Sequence, residues 1–302
     1  MILSLSRIFF IRSSLFYKMT LSLQADNFLF YKLSTEAAMA NFTIRFFSNS
    51  LRRYTTFQMF IPNDFRDDIP YPKDDKKYLK RGMKTLFLLH GYTGDAGNWM
   101  PEYIAQKYNF AVVCPNGENS FWVDGGASTN KYATLVGEEL VKYVRKTFNL
   151  ANGPDDTYIM GMSMGGFGSL YLALRYPEVF GKTAPLSSAL ILHGVSELKP
   201  GEDNGVANYD YYVQCFGDTT KVLESEKNPE VLVKKLLAEG KKLPEIFMAC
   251  GTEDFLIEPN RQFHKFLEDN GVKHTYMESK GQHDMIFWHE YAVKFAQMMF
   301  GE

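Results

Sequence analysis

The sequence predicts an α/β protein: a mostly parallel central sheet with an N-terminal antiparallel hairpin, helices on both faces and a small insertion over the sheet edge. Three observations lead there. Short apolar runs at 85–89, 110–113, 157–160, 182–186 and 245–249 alternate with longer helix-like segments such as 132–148 and 168–176, the pattern of parallel strands connected through helices. Residues 41–47 and 54–61 alternate and favour β-branched and aromatic side chains around a polar Ser48-Asn49-Ser50 turn, as a hairpin does. The 302 residues, 45% hydrophobic and 23% charged, suffice for one large domain with a substantial core.

Residues 1–38 carry Arg7, Arg12 and Lys18 among short apolar clusters, with no acidic residue before Asp26. They read as a leader or as an upstream extension before a start at Met39, outside a catalytic domain of residues 39–302. The two arginines break the apolar run that a secretory signal needs, and an organelle transit segment is the other reading. The hairpin follows, then a polar surface loop at 62–81. Between 190 and 243 the pattern loosens, with turns at Lys199-Pro200-Gly201 and Asn204-Gly205, an aromatic stretch at 209–212 and a helix at 229–239; this is the insertion. Order returns with a helix at 260–269 stopped by Asn270-Gly271, a strand at 272–278, a loop through Gly281 and a helix at 285–300.

A net charge of −2 offers no general excess of cations for nucleic acid or an anionic membrane. No stretch reaches the roughly 18 apolar residues that span a bilayer. Cys114, Cys215 and Cys250 are too few and too far apart for a disulfide framework or zinc site and read as reduced, buried thiols. A small molecule or neutral polymer as substrate, no metal and a cytoplasmic location follow as expectations; a homo-oligomer is compatible with them.

Chemistry concentrates at Gly161-Met162-Ser163-Met164-Gly165-Gly166, between an apolar strand and a helical run. This is the context of a nucleophile elbow, where glycines flank a sharp strand-to-helix turn that projects the serine hydroxyl from the sheet. Ser163 then lies at a helix N-terminus, whose free N–H groups favour developing negative charge. A serine hydroxyl needs a base, and the base needs a group that fixes its tautomer. His283 lies in the loop between the last strand and last helix, where it can reach over the sheet edge, whereas His264 and His289 fall within predicted helices and His274 within a strand. Asp254, in the loop after the strand ending at 249, is the expected orienting carboxylate, with Glu253 the alternative; Asp284 reads as a cap of the last helix. The oxyanion of an acyl intermediate needs two backbone donors, expected from Met164 and from Tyr92 in the His90-Gly91-Tyr92-Thr93-Gly94 loop, with His90 bonding local backbone. Phe121 and Trp122, in a Gly-, Asn- and Ser-rich loop, could wall an acyl or aromatic pocket. Trp99 and Trp288 read as core, Trp288 also as a candidate substrate contact.

With Leu88-Leu89-His90-Gly91-Tyr92-Thr93-Gly94, Phe121-Trp122-Val123-Asp124, the elbow, Gly251-Thr252-Glu253-Asp254-Phe255-Leu256 and Gly281-Gln282-His283-Asp284 in this order, the chain resembles the esterase D-like group of α/β-hydrolases over roughly 39–300. Within it, the tributyrin esterases and the cinnamoyl (feruloyl) and acetyl xylan esterases are the most similar. The resemblance implies cofactor-free hydrolysis of short acyl or hydroxycinnamoyl esters, including esterified plant polysaccharide fragments, through an acyl-serine, with Asp254 as acid and His283 as base. S-formylglutathione hydrolases resemble the chain less around His90-Gly91-Tyr92-Thr93, and acyl transfer to an alcohol is a further possibility. A catalytically silent hydrolase fold acting as a binding protein is the reading of another class; it ordinarily lacks the serine, acid or histidine, and none is missing here.

Overall fold

The computed structural model describes residues 40–62, 78 and 80–301. The expectations for residues 1–38 and for most of the 62–81 loop fall outside the described residues. Eight strands form one sheet: β1 (Ala40–Ser48), β2 (Arg53–Ile61), β3 (Lys84–Leu89), β4 (Phe110–Pro115), β5 (Thr157–Met162), β6 (Lys182–Leu186), β7 (Glu245–Gly251) and β8 (Thr275–Ser279), in spatial order β1-β2-β4-β3-β5-β6-β7-β8. β1 pairs antiparallel with β2, and β2 antiparallel with β4; all other neighbours are parallel. β3 to β7 are nearly all buried because helices cover both faces, which is why they read as apolar runs without alternation.

One face packs against α1 (Glu102–Tyr108) and α8 (Met285–Phe300), whose Phe287, Tyr291, Phe295 and Met299 recur at helical spacing toward β5, β6 and β7. The other face carries α2 (Val141–Phe148), α3 (Met164–Arg175) and α7 (Ile257–Asp269). The insertion lies on this second side as α4 (Leu192–Glu197), α5 (Tyr209–Phe216), a 3₁₀ turn Thr219–Glu224 and α6 (Pro229–Ala238). α3 is buried from Met164 through Leu174, being enclosed by sheet and insertion.

Several boundaries differ from the sequence expectation. The helix foreseen at 132–148 is composite, an α turn Tyr132–Thr134 and a π segment Leu135–Leu140 leading into α2. Periodicity does not separate π from α windings over one or two turns. α7 begins three residues earlier than expected, and β8 starts at Thr275, leaving His274 just before the strand.

The π segment has a use in the fold. Its Glu139 accepts hydrogen bonds from the Ser48 hydroxyl (2.7 Å), Asn49 N–H (2.7 Å) and Ser50 N–H (3.1 Å), fastening the hairpin turn to the helical layer. Burial pushes the carboxyl pKa up, but these three bonds outweigh it and hold the value below the ordinary carboxylate range. Because the folded value is depressed, the stabilisation is present above the unfolded carboxylate pKa and is lost as pH falls through the lower folded value. Glu139→Gln is therefore expected to cost about 1 kcal/mol at neutral pH, discounted for partial solvent screening. Urea midpoints of the two proteins should converge as pH falls below the folded value; an equal gap at neutral and acidic pH would show that charge is not involved.

Candidate active site

Four loops that leave the C-terminal ends of parallel strands in one stretch of the sheet bring the predicted residues together. β3 leads into His90-Gly91-Tyr92, β5 into Ser163, β7 into Asp254 and β8 into His283. At the elbow Ser163 takes φ 56° and ψ −118°, a strained backbone for a residue with a Cβ. It is pinned by Ser163 N–H to Leu186 O (2.9 Å) and by its own carbonyl, which accepts from Phe167 N–H (3.0 Å) and Ala189 N–H (3.0 Å). The flanking glycines are required by space: a Cβ on Gly161 would lie 2.1 Å from Gly165 O, and one on Gly165 would lie 2.5 Å from Leu89 O.

The Ser163 hydroxyl lies 2.9 Å from His283 Nε2, and His283 Nδ1 lies 2.9 and 3.1 Å from the two Asp254 oxygens. The Asp254 carboxylate is fully buried and also accepts from Leu256 N–H (2.9 Å). Burial alone would raise its pKa. The bond from His283, the Leu256 N–H, the Ser187 hydroxyl and the charge of His283 overcome this and keep it below the ordinary carboxylate range. A carboxylate held ionised there requires the proton on Nδ1, which leaves the Nε2 lone pair facing Ser163. Glu253, the alternative partner, lies instead 3.8 Å from Lys280 at the surface. His264 and His274 bond each other (2.7 Å) on α7 and the β8 approach, away from this line. Asp284 caps α8 by accepting from Ile286 and Phe287 N–H.

The candidate oxyanion donors lie beside the hydroxyl. Met164 is the first residue of α3, so its N–H has no acceptor within the helix. Tyr92 lies in a turn closed by Gly94 N–H to Gly91 O (3.1 Å), and a Cβ placed on Gly91 would be 3.4 Å from Ser163 Cβ. His90 braces this loop: Nδ1 donates to Gly91 O (2.8 Å) and Nε2 accepts from Gly117 N–H (2.9 Å). Burial lowers its pKa, in keeping with the neutral ring that accepting at Nε2 requires.

The aromatic residues are placed differently from expectation. Trp122 is completely buried and walls no open pocket. Its ring fills a slot left by Gly117 and Gly168, where added Cβ atoms would come within 2.4 and 2.3 Å of the indole, and its Nε1–H donates to His90 O (3.3 Å). Phe121 is also buried, against Phe167 of α3 and Phe216 and Tyr211 of the insertion. Tyr211 stands beside Tyr92 of the oxyanion loop, with ring centroids 5.6 Å apart. Trp288 is largely buried, its ring centroid 4.8 Å from that of His283 in an edge-on arrangement and its Nε1–H donating to Ser187 Oγ (3.1 Å). Its contact is with the imidazole and the serine behind it. Three contributors were passed over in the sequence: Ser187, Phe255, whose ring lies 4.5 Å from His283, and Asn260. Asn260 binds Ser188 through both its side-chain atoms (3.2 and 2.9 Å), fixing the loop after β6 that reaches the elbow. An apolar residue directly after the acid, in a loop, was the one legible sign of Phe255.

Known proteins share this arrangement of chain. Residues 48–299 match the model of the Esterase family, described as "Putative esterase". The acetyl esterase of Caldicellulosiruptor saccharolyticus is 36% identical over 269 residues, covering 86% of this chain and 98% of that protein. The structure of FphF, a fluorophosphonate-binding serine hydrolase of Staphylococcus aureus, has a TM-score of 0.73 at 25% identity over 87% of this chain and 99% of that one. The S-formylglutathione hydrolase FrmB of the same organism has a TM-score of 0.72 at 26% identity, with 87% and 99% covered. Among the described residues no helix is long and apolar enough to cross a membrane. The family match and the acetyl esterase relative, together with the fold, show that this chain belongs to the Esterase family and is an α/β-hydrolase that cleaves carboxylic esters as a serine hydrolase.

Proposed function

We propose that the chain removes short acyl groups, acetyl foremost, from small ester substrates, with Ser163 as nucleophile, His283 as general base and acid, and Asp254 as the orienting carboxylate. The observation that carries this is the continuous line from Asp254 through His283 to the Ser163 hydroxyl, with both links at 2.9 Å. In the first half-reaction Ser163 Oγ attacks the ester carbonyl while Nε2 takes its proton. The oxyanion is held by the N–H groups of Met164 and Tyr92, the carbonyl re-forms, and the alcohol leaves with the proton from Nε2. Water then repeats the sequence on the acyl-serine, giving carboxylic acid and free enzyme. The neutral imidazole is the form that accepts the proton.

The acetyl preference is supported by the acetyl esterase relative, which spans nearly all of this chain. Buried Cys114, Cys215 and Cys250, all unpaired, fit a cytoplasmic location. A kcat/KM series over aryl acetate, butyrate and octanoate, methyl ferulate and S-formylglutathione tests the reading. Acetate and butyrate are expected to lead. A lead of about tenfold or more for ferulate would assign an aromatic acyl pocket, and the same lead for the thioester would assign a glutathione thioesterase.

A further inference from the structure

Beside the base, on the solvent side of the Asp254 turn, three apolar side chains stand exposed: Phe255 at 69%, Ile286 at 80% and Met285 at 37%. Local geometry forces Phe255 outward. Asp254 is buried to meet His283, Leu256 is buried in the core, and the turn between them is closed by Leu256 N–H to Asp254 Oδ1 (2.9 Å) and Ile257 N–H to Asp254 O (3.1 Å). The residue between two inward side chains faces solvent, yet its ring lies tilted against the imidazole with centroids 4.5 Å apart. Met285 and Ile286 open α8 directly after His283 and its capping Asp284. The rim beyond carries the Glu253–Lys280 pair. Apolar groups left exposed on the two segments that carry Asp254 and His283 mark a place where something apolar binds.

Position relative to the chemistry says what that is. The oxyanion donors Met164 and Tyr92 set where the carbonyl oxygen points, and Nε2 of His283 must reach the departing oxygen to protonate it. The alcohol half of the ester therefore lies over His283, and the groups that flank the imidazole on its exposed side are the ones it meets. We infer that Phe255, with Ile286 and Met285, forms the alcohol-side subsite and selects esters whose alcohol carries a ring that can lie against an aromatic face. This rests on the assignment of Ser163, His283 and Asp254 proposed above and deepens it by naming the leaving-group class. Phe255 is a specificity residue on this view; the proton still moves through His283.

The test is the ratio of kcat/KM for 2-phenylethyl acetate to that for ethyl acetate, two esters with the same acyl group and alcohols of similar acidity. The native protein should favour the ring-bearing ester. Phe255→Ala should reduce the ratio about 3- to 10-fold, the span an aromatic contact supplies, and Phe255→Tyr should restore it. Ile286→Ala should reduce it less. Deacylation, measured from the acetyl-enzyme after the alcohol has left, should be the same for both esters in every variant. Equal loss on both esters in Phe255→Ala, with slowed deacylation, would mean that Phe255 only steadies the histidine, and the inference would be overturned. An unchanged ratio accompanied by a drop in particle mass would make the patch a contact between copies of the chain and overturn it equally. If the native protein cleaved neither ester and took up no fluorophosphonate, the failure would lie with the catalytic assignment, which separates the two.

Discussion

Ser163→Ala is expected to lower kcat/KM for an aryl acetate by about 10⁵- to 10⁶-fold, the scale seen when a nucleophile that acts as a unit with its base is removed. The loss is this large because the hydroxyl that His283 Nε2 faces, at 2.9 Å, is that of Ser163, while its Nδ1 is committed to Asp254. Without the hydroxyl no acyl-enzyme can form, and only the oxyanion donors remain to act on a water. Folding should be unaffected, since alanine carries the same Cβ through the same φ of 56° as serine. The comparison requires matching circular dichroism and complete loss of fluorophosphonate labelling. A folded variant retaining more than about a hundredth of the native rate would remove Ser163 from the chemistry.

The second large effect belongs to Asp254→Asn, for which a loss of about 10⁴-fold in kcat is expected. An asparagine amide can present an N–H to Nδ1, which moves the imidazole proton to Nε2, where it points at Ser163 and cannot accept. The native carboxylate excludes that tautomer, and its depressed pKa keeps it ionised well into the acidic range. The stability it adds follows the same sign: present above the unfolded carboxylate pKa, lost as pH falls through the lower folded value. Glu253→Gln is the control, with a change within about twofold expected from an exposed, weakly paired carboxylate. If the two variants exchanged these outcomes, the carboxylate that orients His283 would be Glu253.

The strands and the chemical line were legible for reasons that can be named. β6 and α8 match their sequence runs to the residue, because a buried strand bounded by turns and a capped amphipathic helix each leave an uninterrupted signature. Ser163 was legible from its glycines, and Asp254 and His283 from their loops at the ends of β7 and β8. α1 was not anticipated, being only seven residues long and capped by no side-chain bond. Trp122 was misjudged because loop composition suggests exposure, whereas its burial depends on two glycines, one in the Gly117 loop and one on α3, that meet only in three dimensions. Tyr211 approaches Tyr92 across more than a hundred residues of chain, and no local pattern encodes that distance.

The backbone at Ser163 has one more implication, for the history such a protein can have. A glycine at that φ and ψ would relieve the steric conflict that serine bears there. Selection for durability alone would therefore favour losing the side chain proposed as the nucleophile. The hydrogen bonds to Leu186 O and from Phe167 and Ala189 N–H hold the unfavourable conformer in place, so robustness had to be built into the neighbours of Ser163 and not into Ser163 itself.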